Sequence, residues 1–253
     1  MYISPGMGHR ALEGAGMKVI GKEIGDAIEP MFQEIEARLL AEAERTLRVE
    51  PFEGGALSDV DWDEPPGVVV ISLHSGVPTH ALAHVLGVAL QHVRQTLDHY
   101  PDVVSGPAAV EGEEMLRHAL RELILAPEAE AHLASLGLES RWETEQRHQG
   151  MKDLLRQASK DWDEVLTPNH VFGALLYARF ALDHPEELWA SLRKDFNRKF
   201  PALSASGEGA AEQIRTHGWD SVDACIEALV AVRDELGMRE IALVEDRRDG
   251  TLL

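Results

Sequence analysis

Two histidines one helical turn apart are the residues of this sequence whose types and spacing first suggest chemistry. His80 and His84 stand in the segment PTHALAHVLG, residues 78–87. Residues at positions i and i+4 project from the same face of an α-helix, so the two imidazoles can share one metal ion. Ala81 occupies the position where a glutamate would act as a general base beside such an ion.

The helical wheel keeps both histidines off the apolar stripe of the predicted helix. At about 100° per residue, six apolar side chains gather on one side of the helix: Leu82, Val85, Leu86, Ala89, Val93 and Leu97. His80, His84 and Gly87 lie on the other side, so we expect the histidines to face water or a cleft. Gly87 permits close approach by another segment, because glycine has no side chain. Two exposed histidines on a surface helix are the alternative interpretation.

A third metal ligand is expected on the next predicted helix, in the segment EGEEMLRHALRELILAP (111–127). The segment offers Glu111, Glu113, Glu114 and His118 as ligands, and Glu114 shares a helix face with His118. An acidic first turn also stabilises a helix N-terminus without any ion, so that interpretation stays open. His92 is a poor third ligand, because it lies about 12 Å along the helix from His84 and zinc binds histidine at about 2 Å.

Hydrophobic periodicity predicts a mainly helical chain with one clear strand. The run VVVISL (68–73) is rich in β-branched residues and is bounded by Pro-Pro-Gly and HSGVP, which is typical of a strand. Residues 51–67 are predicted to form an acidic, turn-rich linker. Helices are predicted over 18–48, 79–99, 111–125, 128–136, 140–160, 168–182, 185–198, 207–217 and 220–236.

These elements predict an α+β, predominantly helical fold. We expect an α+β N-terminal part over 1–138, with a small sheet, and a helical C-terminal part over 139–253. Residues 1–16 are glycine-rich, are expected to be loose, and show no basic start followed by an apolar run, so no signal peptide is expected.

The segments THALAHVLG and EMLRHALRELILAP together resemble the ImmA/IrrE family of zincin-like metallopeptidases. Those proteins carry HExxH on one helix and a metal-binding glutamate on a later helix that ends in a Leu-Leu-x-Pro-like segment. Ile124, Leu125 and Pro127 match that ending, and the resemblance covers about a quarter of the chain. It implies zinc as cofactor and a protein or peptide as substrate or regulated partner. By the same resemblance, the zinc ligands are His80, His84 and Glu114.

The departure from the family at Ala81 bears most on function. The family's glutamate takes a proton from zinc-bound water, and alanine cannot do so. Hydrolytic activity is therefore expected to be absent or strongly impaired, whether Ala81 arose in a natural pseudoenzyme or in an engineered variant. Two other functions fit the residues: a non-enzymatic acidic helical module that binds proteins, and a DinB-like metal-binding bundle that uses His80, His84 and His118.

The composition of the chain limits the kinds of partner that it is expected to bind. The net charge of −20 opposes broad contact with nucleic acid or anionic membrane surfaces, and no apolar run is long enough to cross a bilayer. Cys225 is the single cysteine and lies in an apolar helical run, so we expect a core residue and a cytoplasmic protein. Four tryptophans are expected to pack in the core or between helices: Trp142, Trp162, Trp189 and Trp219.

Overall fold

The computed structural model describes residues 17–253, of which the largest share is helical. Helices account for 60% of the structure and the sheets are small, which confirms the α+β, predominantly helical fold class. The glycine-rich segment 1–16, predicted to be loose and to lack a signal peptide, lies outside the described residues. None of the helices in residues 17–253 combines the length and apolarity that a bilayer crossing requires.

Eight α-helices run through the described residues: α1 (Glu29–Ala43), α2 (Thr79–Leu97), α3 (Glu113–Ser135), α4 (Arg141–Gln157), α5 (Pro168–Asp183), α6 (Glu186–Lys199), α7 (Pro201–His217) and α8 (Val222–Glu235). Short 3-10 turns precede α1 and α5. The strands are β1 (Lys18–Val19), β2 (Lys22–Glu23), β3 (Thr46–Phe52), β4 (Ser58–Asp61), β5 (Val68–His74), β6 (Asp102–Ser105), β7 (Ala242–Asp246) and β8 (Thr251–Leu252).

The predicted helix over 18–48 is wrong at both ends. A two-stranded hairpin occupies Lys18–Glu23, and α1 begins only at Glu29, with proline at its start. The helix ends because Glu44 adopts a left-handed conformation, φ 54° and ψ 35°. The next residues then form β3, which pairs in parallel with all seven residues of β5. Pairing with a distant strand overrode the local helical pattern.

The strand predicted at 68–73 is confirmed as β5, and it is the centre of a three-stranded sheet in the order β3-β5-β4. β4 pairs antiparallel with β5 and comes from the stretch predicted to be only a linker. A second sheet joins β6 to β7 and β8 at the end of the chain. These last strands were missed, because about 140 residues separate β6 from its partner and local sequence carries no trace of that pairing.

α3 is one continuous helix where two helices were predicted. Pro127 lies inside it and is buried. Proline removes one backbone donor and normally ends or kinks a helix. Here the buried face continues on both sides of the proline, from Leu123 and Ile124 to Leu133, so packing holds the two halves in line. Gln95 also donates to the carbonyl of Leu125 at 2.8 Å, beside the proline.

Three groups of buried side chains form the core. The first lies between α1, β5 and α2, and includes Leu133 of α3. The second gathers α3, α5, α7 and α8 with β6 and β7. The third is aromatic and lies between α4, α5, α6 and α7. α3 contributes to both the first and the second group, and the domain boundary predicted near residue 138 stays a prediction.

Burial confirms that Cys225 is a core residue and that the four tryptophans pack against the core groups. Cys225 is fully buried in the second group, and burial raises the pKa of its thiol to about 12. Trp162 and Trp189 are buried in the aromatic group. Trp142 and Trp219 are partly buried and pack against the first and second groups respectively.

Close helix packing generates a prediction at Gly207 of α7. A Cβ atom there would lie 2.7 Å from Cβ of Tyr177, which cannot swing away as a side-chain tip can. We expect Gly207→Ala to lower the free energy of unfolding by about 1–3 kcal/mol, because overpacking outweighs the gain in helix propensity. Gly150→Ala in α4 is the control, since nothing lies within 4 Å of its added Cβ. Urea denaturation should show it unchanged or stabilised by up to about 1 kcal/mol. Destabilisation by both variants would contradict the packing argument.

Candidate metal centre

The two histidines of the HxxxH pattern lie in different environments on α2. His84 is only 2% exposed, whereas His80, one turn earlier, is exposed at the start of the helix. Both histidines keep off the first core group, as predicted. The expectation that they face water or a cleft is wrong for His84, which is buried against carboxylates of two other helices. His84 is therefore the residue whose surroundings define the site.

Gly87 sets the distance between α2 and α3. A Cβ atom at Gly87 would lie 2.7 Å from Cδ2 of Leu133, so the glycine allows the close approach that its position in the sequence suggested. The two helices run antiparallel here, since Gln91 donates to Glu128 at 3.1 Å and Gln95 reaches Leu125. This packing brings the second half of α3 against the first half of α2.

Three ligand-type side chains from three helices meet at His84. Nε2 of His84 lies 2.9 Å from Oε2 of Glu130 on α3, and Nδ1 contacts Oε1 of Glu143 on α4. The ligand atoms all lie within 4.8 Å of one another. Glu130 is 21% exposed and Glu143 is 12% exposed, so the cluster is largely shielded from water.

Charge pairing dominates the electrostatics of this cluster. Burial alone would lower the pKa of His84, but hydrogen bonds to Glu130 and Glu143 outweigh burial and raise it to about 9. Burial opposes ionisation of Glu130, yet the contact with His84 lowers the pKa of that carboxyl below its usual range. Arg147 of α4 lies 3.7 Å from the other oxygen of Glu130 and 3.4 Å from Asp183 at the end of α5.

The donor set suits a transition metal. The 2.9 Å between His84 Nε2 and Glu130 Oε2 is close to the roughly 3.3 Å that separates two ligand atoms on one tetrahedral zinc with bonds of about 2 Å. Glu143 then accepts the Nδ1–H of His84, the arrangement by which a carboxylate orients a metal-bound histidine. The residues present therefore fit a metal ion bound at the Nε2 side of His84.

An open cleft of about 430 Å³ lies at the start of α2, where His80 lines it. Ala81 lines it and is 3% exposed, so the position of the missing acid in the HExxH pattern borders this space. The remaining lining residues are Glu139, Arg141, Trp142 and Glu145.

The structure does not bring Glu114 to the histidines, and Glu130 lies where that ligand was expected. Glu114 is exposed in the first turn of α3, sixteen residues before Glu130 and about 24 Å away along the helix. Glu113 instead accepts from the backbone N–H of Val110 at 3.1 Å and pairs with Arg117, as an acid at a helix start does. His118 lines a different cleft.

Glu114 was assigned by counting back from Pro127 on the family pattern, and the helix was predicted to end at that proline. With α3 ended there, the acids beyond it seemed to belong to a separate short helix. A continuous α3 antiparallel to α2 would have pointed to Glu130, since it then lies level with His84. Glu143 carries no comparable signal, because the packing of α4 against α2 depends on contacts that local sequence does not show.

In a zincin, an edge strand beside the histidine helix can hold substrate near the metal. That arrangement is only partly present here. β5 does precede α2, but it is the central strand of its sheet and both of its edges are paired. The edge strands are β3 and β4, and β4 borders α2 at Val88 and His92, beyond the His80–His84 turn.

Comparisons with known proteins identify no relative of this chain. No family model matches the chain, and neither the curated proteins nor the solved structures contain a significant match. The resemblance to the ImmA/IrrE family therefore stays a prediction, and function has to be argued from the geometry of the site.

The buried pairing generates a prediction for metal-free protein. Glu143→Gln removes the negative charge beside Nδ1 of His84 while keeping the size of the side chain. We expect the free energy of unfolding to fall by about 1–3 kcal/mol, the usual worth of a buried hydrogen bond to a charged group. Glu145→Gln is the control, because Glu145 is exposed on the same helix and its pair with Arg141 is worth little. Equal effects of the two substitutions in urea denaturation would refute a special role for Glu143.

Proposed function

We propose that this chain is a zinc-binding protein of the zincin type whose hydrolytic activity is absent or strongly impaired. The observation that carries the proposal is the buried constellation of His84, Glu130 and Glu143, contributed by three different helices. Nε2 of His84 and a carboxylate oxygen of Glu130 hold the ion, and Glu143 orients the imidazole. His80, one turn before His84, is the further side chain available as a ligand.

Ala81 accounts for the impaired activity in this proposal. Zinc supplies Lewis acidity and lowers the pKa of bound water, but a peptidase also needs a base to accept the proton from that water. Ala81 borders the cleft beside His80 and offers no such group. The ligand that the cleft would accept is a protein or peptide segment, in keeping with the family resemblance. The single cysteine, buried and unpaired, supports a cytoplasmic location.

A non-enzymatic role is the competing proposal, and one observation favours it. Both ring nitrogens of His84 already face a carboxylate, so a doubly protonated imidazole satisfies the cluster without an ion. In that case the cluster is a buried ion pair network that joins α2, α3 and α4. The acidic protein would then act as a binding module for a basic partner, in keeping with its net charge of −20.

Metal analysis separates the two proposals. We expect purified protein that has been dialysed against zinc and then washed to retain one equivalent of zinc. Glu130→Gln should lose that equivalent, because the substitution replaces the charged ligand oxygen with a neutral amide. Glu114→Gln is the control on the same helix and should keep that equivalent. The sequence prediction assigned the ligand role to Glu114. Loss of zinc in Glu114→Gln, with zinc retained in Glu130→Gln, would therefore support that assignment. Zinc content that neither substitution changes would leave only the binding module.

A second experiment tests the role of position 81. We expect Ala81→Glu to produce zinc-dependent cleavage of an unfolded protein such as reduced casein, about 100-fold or more above the parent, as a general base provides. Ala83→Glu is the control, because Ala83 occupies a variable position between the two histidines, where the HExxH pattern requires no glutamate. If Ala81→Glu binds zinc and folds, yet cleaves no faster than Ala83→Glu, the peptidase relationship is wrong.

A further inference from the structure

A cleft lined by basic side chains lies between α4 and α6, on a chain whose net charge is −20. Its volume is about 350 Å³. Among the described residues that line it, Asp195 is the one carboxylate, and Leu155 contributes an apolar side chain. The other lining residues are all cations, two from each helix: Lys152 and Arg156 of α4, and Arg198 and Lys199 of α6.

The two lysines have no carboxylate partner within residues 17–253. Nζ of Lys199 donates to the carbonyls of Leu155 at 2.6 Å and Ala158 at 2.9 Å, at the end of α4. These contacts hold the ammonium group in place, because the last carbonyls of a helix attract a cation. Lys152 is exposed and makes neither an ion pair nor a hydrogen bond in the described part of the chain. Both ammonium groups therefore present an uncompensated positive charge to the cleft.

The two arginines are only partly satisfied. Nη1 of Arg156 donates to Asp153 at 2.5 Å, and Nη2 of Arg198 donates to Asp195 at 2.8 Å. A guanidinium group carries five N–H donors, so each arginine keeps further donors for a ligand. The side chains are 67% and 75% exposed, so a ligand can reach them. Even with both aspartates counted, the cleft keeps a surplus of two positive charges.

Helix stability explains only part of this arrangement. Arg156, Arg198 and Lys199 lie in the last turns of α4 and α6, where a cation stabilises the helix. Lys152 lies before the last turn of α4, so the same argument does not apply to it. The macrodipole also does not require the cations of two helices to line one space, because a cation on any face of a last turn has the same effect. The shared cleft therefore indicates an anionic ligand.

The surrounding charge determines what kind of anion fits. The acidic chain as a whole repels anions, and the cleft at the start of α2 has two carboxylates, Glu139 and Glu145, against Arg141. An acidic peptide would leave some of its carboxylates outside the basic cleft, where that repulsion acts on them. A compact anion places all of its charge inside. Phosphate groups suit these donors, because guanidinium binds phosphate oxygens with paired hydrogen bonds and ammonium binds them as a point charge.

We propose that the cleft between α4 and α6 binds a compact oligophosphate, either free or as the phosphate chain of a nucleotide. Lys152, Arg156, Arg198 and Lys199 supply the positive charge that holds it. The site does not depend on the proposed function, since it shares no side chain with the His84 cluster or with the cleft at the start of α2.

Calorimetric titration of the full chain with sodium tripolyphosphate tests the proposal. We expect saturable binding of one equivalent that weakens as the salt concentration rises, because salt screens exposed charges. The double variant Lys152→Gln/Arg156→Gln should raise the Kd by about tenfold or more, since it removes charge-assisted hydrogen bonds. Both side chains are exposed and glutamine is a good helix former, so the fold should persist.

Arg193→Gln on α6 is the matched control. Arg193 is exposed, pairs with Glu186 at 2.9 Å and does not line the cleft. Its substitution also removes one positive charge from the same helix, so it measures the effect of net charge alone. We expect it to change the Kd for tripolyphosphate by no more than about twofold, because an exposed charge away from the ligand contributes little.

Titration with ATP, without added metal, distinguishes the two sources of phosphate. Tighter binding of ATP than of tripolyphosphate, with the same loss in the double variant, identifies a nucleotide as the ligand. Equal or weaker binding of ATP identifies the free oligophosphate. The proposal is overturned if neither anion binds saturably, or if the double variant binds as tightly as the Arg193→Gln control. A heptaglutamate peptide that binds more tightly than tripolyphosphate would also overturn it, in favour of an acidic protein partner.

Discussion

The contact between α2 and α3 is the constraint on which the rest of the site depends. Gly87 provides the space for Leu133, and that close approach places three polar pairs between the helices: His84–Glu130, Gln91–Glu128 and His92–Glu122. A buried polar group without a partner costs free energy, so each of these side chains has to face a complementary one. The helix pair therefore carries a row of matched polar side chains along one line and apolar packing on either side.

The same contact explains why chemistry concentrates here. The first and second core groups are apolar and share α3, and the α2–α3 line holds titratable groups that are shielded from water. Shielding strengthens charge interactions, as the raised pKa of His84 and the lowered pKa of Glu122 show. A histidine held beside a carboxylate in such a place is close to the geometry of a metal ligand, whether a proton or an ion lies between them.

The candidate site was partly predictable. The HxxxH spacing identified His84, and Gly87 on the histidine face indicated a close neighbour, because helix periodicity is a local property. The carboxylate partner was misplaced because Pro127 was interpreted as the end of a helix, while packing on both sides carries α3 to Ser135. His92 was set aside as a ligand on the correct argument that it cannot share an ion with His84. Its own partner, Glu122, only becomes its neighbour when the two helices align.

Local sequence determined the predominantly helical character, strand β5, the span of α2 and most C-terminal helices, and the burial of Cys225. These features follow from periodicity, propensity and apolar runs, which act within a few turns of the chain. The tertiary structure alone decided that β3 is a strand, that β6 meets β7 across the length of the chain, and that Glu130 and Glu143 meet at His84. Each of these depends on contacts between distant segments, whose free energy comes from shared burial and pairing and leaves no local pattern in the sequence.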